Sequence, residues 1–395
     1  MQKFVKLPLI FFFIGAVLGA VLRWHQGWPI GGLTYPFWLH GHSHIMFLGW
    51  VLNALTANFV VQFVPEHAHA RYRPIFLIIN ILLGGMLISF PAGGYSVFSI
   101  VLSTLHTGTL GWFVYRFFQD APFDGNTIAL RYARWSLIFF ILSSAGPFAL
   151  GGLAANGMEG SSWYRLALYY YLHFQYNGAF IFGVLALLYR LVDHYQLTVN
   201  KKSAGIARVL LIVSCFPTYV LSALYLEPPL VFHAIGFISA VIQLVALVYL
   251  FRSVSEFNTL MNRISPSAQI LLLIAMLSFL VKLILQVASS FPAVALLAGD
   301  IRYYVIAYLH LVFIGVISFF LLAWYQAIGL IPPIRWYALV MLVGGYLLSE
   351  VVMISVGYMA VQTLHVTLVM AAVLTAVGLG VLLINTEKKI GVPKV

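Results

Sequence analysis

Residues 38–50, WLHGHSHIMFLGW, set three imidazoles at alternate positions, His40, His42 and His44, and then run into unbroken apolar sequence. From residue 41 to 63 the chain stays apolar long enough, at 1.5 Å per residue, to cross a hydrocarbon layer of about 30 Å as a helix. The rest of the chain repeats the pattern. Of 395 residues 62% are hydrophobic and only 8% charged, far from the quarter of charged residues usual in a soluble globule. Twelve apolar runs are read as spanning helices, near 5–22, 41–63, 74–90, 94–116, 134–155, 166–189, 206–225, 229–251, 268–290, 303–325, 336–357 and 361–384. The fold class is an all-α polytopic membrane protein, expected as a single integral membrane domain over 1–395. The first run follows MQKFVK but is expected to stay as a helix, because no polar mature domain comes after it.

Charge gives an orientation. Seventeen Lys and Arg, among them Lys3, Lys6, Arg71, Arg73, Lys388, Lys389 and Lys394, fall on the side of the first residue, against Arg23, Arg165 and Arg302 opposite. By the positive-inside rule both termini are expected in the cytoplasm, and the net charge of +11 reports topology and contact with anionic lipid. The lone Cys215 excludes a disulfide framework and a cysteine metal cluster. No phosphate loop or nucleic-acid motif is present, so membrane lipid, not nucleic acid, is the expected partner.

Orientation converts position into depth. His42 and His44 are expected in the first turn of the second helix, His173 two turns into the sixth, His233 one turn into the eighth, His310 two turns into the tenth and His365 one turn into the twelfth. Lys282 and Glu350 approach the same outer third from the other direction, and His106 lies near mid-membrane. Ionisable groups in hydrocarbon are costly and mark functional sites. Each imidazole taken singly can instead be satisfied by a carbonyl or a tyrosine, but a layer drawn from several helices suits iron, copper, zinc or a porphyrin. Side chains advance 100° per residue, so His40 and His44 share a face while His42 points about 160° away. The alternating His67 and His69 of EHAHARYR, residues 66–73, read as a solvated inner loop.

Twelve helices, with His42, Met46 and Phe47 on the second and His310 on the tenth, resemble the catalytic subunit of the heme-copper oxidase and nitric oxide reductase superfamily. Gly49 with Trp50 is similar to compact, divergent relatives such as the NnrS family. The resemblance implies an oxidase-subunit-I-like bundle, with His42 and His310 as axial ligands of one low-spin heme, b-type by expectation. His44 is then a cap, a propionate contact or part of a second site. Lys282 is a cofactor-binding candidate that can meet a bound ligand, a propionate or an acid such as Glu350. The superfamily's copper takes one histidine from the sixth helix and an adjacent pair from the seventh. His173 matches the first, with Tyr176 one turn beyond, but RVLLIVSCFPTYVLSALYL has no histidine. In the tenth helix Tyr308 stands where the high-spin heme ligand would be. His233 is the candidate to join His173 at an additional copper or other transition metal.

The implied function is electron transfer or handling of a diatomic gas such as nitric oxide, with quinol, a cytochrome or a partner subunit as electron donor, in a bacterial-type inner membrane. A complete oxygen-reducing centre is not expected, no catalytic residue is assigned, and whether the chain is an enzyme stays open. Two alternatives stand beside this reading: a proton-coupled transporter, favoured by Lys282 and Glu350, and a structural heme- or metal-handling protein.

Overall fold

A computed structural model describes residues 1–121, 127–358 and 360–388; Lys389 and Lys394, counted above with the inner charges, lie outside them. Among the described residues twelve helices are long and apolar enough to cross a membrane. They are α1 (Lys3–Gly27), α2 (Tyr35–Phe63), α3 (Glu66–Gly93), α4 (Val97–Asp120), α5 (Ile128–Ala155) and α6 (Ser162–His194). The remainder are α7 (Lys201–Leu226), α8 (Leu230–Ser253), α9 (Pro266–Ala288), α10 (Arg302–Ala327), α11 (Trp336–Ile354) and α12 (Val361–Thr386). The chain is an all-α, multi-pass membrane bundle. A helix meets every backbone hydrogen bond within its own segment, which is why apolar runs of this length take that form in lipid.

The starts of α2 and α6 differ from expectation. α2 begins at Tyr35, behind an extended Thr34 and with proline in its first turn, a residue whose missing N–H costs nothing there. Gly41 lets this added stretch lie against Pro91 of α3: a Cβ on it would stand 3.0 Å from that ring. His42 and His44 are therefore two turns inside the helix, not in its first turn. α6 begins at Ser162, where the Ser161 hydroxyl caps the Tyr164 N–H, and His173 lies three turns in.

Three stretches depart from α geometry in the same way. Ile45–Leu52 in α2, Phe174–Phe180 in α6 and Leu311–Ser318 in α10 are π-helical. Such segments are rare and concentrate at functional sites. Each follows directly on a histidine: His44, His173 and His310.

The chain forms two compact units, one of Met1–Phe123, Pro266–Ala268 and Tyr325–Val395, the other of Asp124–Ser265 and Gln269–Trp324. In the first, Trp50 stacks on Phe12 with ring centroids 4.6 Å apart, and Tyr325 meets Trp50 edge-on. The hydroxyl of Tyr325 donates to the Val5 carbonyl, which supplies the partner a buried phenol needs. At the start of α3 and the end of α4, Arg71 pairs with Asp120 at 3.2 Å and the Tyr72 hydroxyl donates to the same carboxylate. Between α11 and α12 a Cβ on Gly378 would approach the Leu342 N–H nitrogen to 2.9 Å. Helices in lipid pack by such close approach, since the hydrophobic effect does not drive them together.

In the second unit Tyr132 stacks on Tyr189 at 5.2 Å, and the hydroxyls of Tyr189 and Ser253 are 2.8 Å apart. α7 changes to a 3-10 helix over Pro217–Leu226. The Tyr219 N–H turns to the Phe216 carbonyl, and the Cys215 carbonyl is left for side chains.

Candidate functional site

In the first unit, α1 carries Gly15, Gly19 and Arg23 at four-residue spacing, one face of a helix. A Cβ on Gly15 would collide with Met46, and one on Gly19 would stand 3.1 Å from Cε1 of His42. The two glycines thus admit α2 close enough for His42 Nδ1 to lie 2.9 Å from the Gly15 carbonyl oxygen. A carbonyl only accepts, so Nδ1 carries the proton and Nε2 the lone pair. A backbone acceptor on one ring nitrogen orients the other in metal-binding histidines. One turn above Gly19, Arg23 reaches the Met353 sulfur at 3.1 Å and Gln26 at 3.4 Å, and Gln26 donates to the Tyr35 hydroxyl. Glu350 lies within electrostatic range of Arg23, and the His365 side chain lies beside Gly27.

The opposite face of α2 has a different neighbourhood. The ring of His44 stacks on Phe90 with centroids 4.1 Å apart, and His40 packs against Tyr95 at 4.5 Å. The facial division expected within WLHGHSH is borne out: His40 and His44 turn to the end of α3 and its following loop, His42 to α1. His69 Nε2 lies 3.0 Å from the Val64 carbonyl oxygen at the turn between α2 and α3, and His67 is exposed.

The second unit holds its imidazoles differently. Nε2 of His173 lies 2.8 Å from the Cys215 carbonyl oxygen and Nδ1 lies 3.1 Å from Asn177 Nδ2. Nε2 must donate, so Nδ1 accepts from the Asn177 amide, and both ring nitrogens are engaged. Metal binding at His173 would have to break one of these bonds. His233 Nδ1 donates to the Ser290 carbonyl at 2.7 Å, an arrangement that leaves its Nε2 as the lone-pair nitrogen. Lys282 is 2% exposed and donates to Gln286 Oε1 at 2.9 Å, near enough to His173 and Cys215 for their charges to interact. Its hydrogen-bond partner is an amide rather than an acid. Tyr308 is hydrogen-bonded to Tyr176, with ring centroids 6.1 Å apart, and the half-buried His310 follows two residues later.

Among the described residues no group of three or more His, Cys, Asp or Glu side chains is placed to hold a metal ion. A cavity of about 780 Å³ in the second unit, between Gly146, Trp163, Tyr170, Pro217 and Phe232, includes none of the candidate histidines in its wall.

Two signals in the sequence bear on these sites beyond the residues first singled out. GAVLG, residues 15–19, has the small-residue spacing of closely packed membrane helices. HIMFLG (44–49), HFQYNG (173–178) and HLVFIG (310–315) share the pattern His-x-x-aromatic-x-x reduced to His-x-x-(Phe/Tyr)-x-Gly. These hexapeptides span the starts of the three π segments. A phenylalanine of the preceding odd-numbered helix fills the space at the first two glycines, Phe11 at Gly49 and Phe139 at Gly178.

The whole chain is similar in fold to a heme-copper terminal oxidase determined as a dimer by cryo-electron microscopy, with a TM-score of 0.67 and 13% sequence identity. The match covers 100% of this chain and 84% of that one. No family model and no curated protein matches the sequence. The likeness is one of fold.

Proposed function

We propose that this chain is a heme-binding integral membrane protein that transfers electrons or handles a diatomic gas such as nitric oxide. The observation that carries the reading is His42, with Nδ1–H held on the Gly15 carbonyl and Nε2 left as a ligand-type lone pair. His42 and His310 are the candidate iron ligands, and Arg23, beside His42, is suited to a propionate. A b-type heme with two imidazole ligands supplies one-electron transfer with little rearrangement, and one with an open position supplies gas binding. Gly15 orients the His42 ring and Gly19 gives it room. His233 is the better-prepared metal ligand of the second unit, because its Nε2 is not committed as the His173 nitrogens are. The same reading takes 1–395 as one integral membrane domain of a bacterial-type inner membrane, both termini cytoplasmic, receiving electrons from quinol, a cytochrome or a partner subunit.

The test is spectroscopic. Protein purified from heme-replete cells is expected to show a Soret band and a sharp reduced alpha band. His42→Ala and His310→Ala are each expected to abolish or convert the low-spin spectrum, whereas His40→Ala and His67→Ala leave it in place. Colourless wild-type protein would reject the heme and return the transporter reading to first place.

A further inference from the structure

The heme reading leaves the cavity of about 780 Å³ in the second unit without a role. Its volume falls within the roughly 300–1,000 Å³ of small-ligand sites, and among the described residues none that lines it is charged. The wall comes from the later parts of α5 and α7 and the first turns of α6 and α8, so it lies at one end of these helices. On α6 it runs from Trp163 to Tyr170 and on α5 from Ala145 to Leu153. At 1.5 Å per residue that is about 10–12 Å, within one half of a hydrocarbon layer of about 30 Å. The sequence makes the space in two ways. Ala145, Gly146 and Ala149 leave α5 without bulk on this side, and α7 tightens into a 3-10 helix from Pro217 onward. The Tyr219 hydroxyl in the wall is already committed to the Leu166 carbonyl at 2.9 Å. The cavity is a groove that opens outward from the helices: Trp163, Phe216, Phe232 and Ile235 are all exposed, and only 28% of the apolar stretch of α5 and of α7 is buried. For spanning helices such a surface meets lipid tails.

The head group is chosen at the end where α6 starts and α7 stops. Arg165 and Tyr225 are each next in sequence to a wall residue, Leu166 and Leu226, and the guanidinium of Arg165 stands over the Tyr225 ring, 5.4 Å from its centroid. Among the described residues Arg165 has no ion-pair partner. The Tyr225 hydroxyl is buried without a hydrogen-bond partner, a state that native proteins seldom leave unfilled. A phosphate oxygen meets both needs, since guanidinium is the side chain best matched to phosphate. The connections at this same end carry two acids, Glu159 and Glu227, both exposed. One cation beside two acids disfavours a head that is only anionic and suits one that holds a phosphate and an ammonium together. We propose that the groove binds one zwitterionic aminophospholipid, with an acyl chain along the wall and its phosphate at Arg165 and Tyr225. The site shares no residue with the candidate heme and metal ligands and does not rest on the heme reading.

The experiment uses the full-length protein, stripped of lipid in detergent and then incubated with palmitoyl-oleoyl phosphatidylethanolamine or with phosphatidylglycerol of the same chains. Retained lipid is counted by native mass spectrometry, and integrity is checked by size exclusion. Wild type is expected to keep one phosphatidylethanolamine and to prefer it to phosphatidylglycerol. Ala149→Trp, at an exposed position of the wall, fills the groove and is expected to lose the lipid, whereas Gly84→Trp on the open face of α3 keeps it. Arg165→Gln and Tyr225→Phe are each expected to weaken retention about tenfold, the loss of one hydrogen bond to a charged group. Should Ala149→Trp fail to fold, Ala223→Leu narrows the same groove with a smaller change. No lipid on wild type, a lipid that survives filling of the groove, a preference for phosphatidylglycerol, or an isoprenoid quinone retained in its place overturns the proposal. So does retention unchanged in both head-group variants.

Discussion

A histidine in this protein is defined less by its depth than by which of its nitrogens is already bonded. His42, His44 and His233 give Nδ1–H to a backbone carbonyl, whereas His173 is closed at both ends by Cys215 and Asn177. That difference is testable without any cofactor. Asn177→Leu leaves Nδ1 of a buried ring unsatisfied and is expected to destabilise the protein by about 1–3 kcal/mol. In the His173→Leu background the same change should cost much less. Equal losses in both backgrounds, from unfolding in detergent, would show that the bond contributes nothing. The faces within WLHGHSH were legible because the helical period fixes them, whereas the distance of His42, His44 and His173 into their helices was not, because α2 and α6 start earlier than their apolar runs. Their protonation was not, since the carbonyls that decide it, Gly15 for His42 and Cys215 for His173, belong to other helices and lie 27 and 42 residues away in sequence.

Between elements, contact distances are set at glycines. Valine at Gly19 would press on His42 Cε1, which a Cβ already approaches to 3.1 Å, whereas Gly84 on α3 faces open space. Gly19→Val is therefore expected to disturb the His42–Gly15 hydrogen bond and shift the low-spin absorption bands, and Gly84→Val to leave them unchanged. Identical spectra for both variants would disconnect α1 from the ligand. The twelve helices were legible from hydropathy alone. The early start of α2 was not, because Pro36, His40 and Gly41 interrupt the apolar run, and the Pro91 ring that packs against Gly41 comes from another helix. The π segments were equally hidden: no propensity distinguishes IMFLGWVL from an ordinary apolar helix, and only the recurrence of His-x-x-(Phe/Tyr)-x-Gly hints at them.

At the scale of the molecule, twelve candidate spans among the described residues, together with the charge asymmetry, predict both ends on one side. Reporter fusions at residue 1 and residue 395 are expected to give the same cytoplasmic signal, and opposite signals would require an odd number of crossings. The fold is similar to that of a terminal oxidase, and the resemblance read from the sequence implies an incomplete copper centre: α7 has no histidine, Tyr308 is paired with Tyr176, and His173 is committed at both nitrogens. With heme loading verified, oxygen consumption from reduced quinol or cytochrome c is expected at background. Turnover abolished by His173→Ala would reverse that expectation. The π segments carry one further consequence. Each holds a surplus residue relative to an α-helix, so losing one residue from Ile45–Leu52 would let that stretch close into α geometry with little change of facing beyond it. Asn53 and Asn58 would stay turned to Asn80 and Tyr325, their present partners. The same loss from the α-helical Asn53–Phe63 would turn everything beyond it by about 100°. In α2 the π stretch is thus the seam at which a single codon can be lost without rephasing one half of the helix against the other.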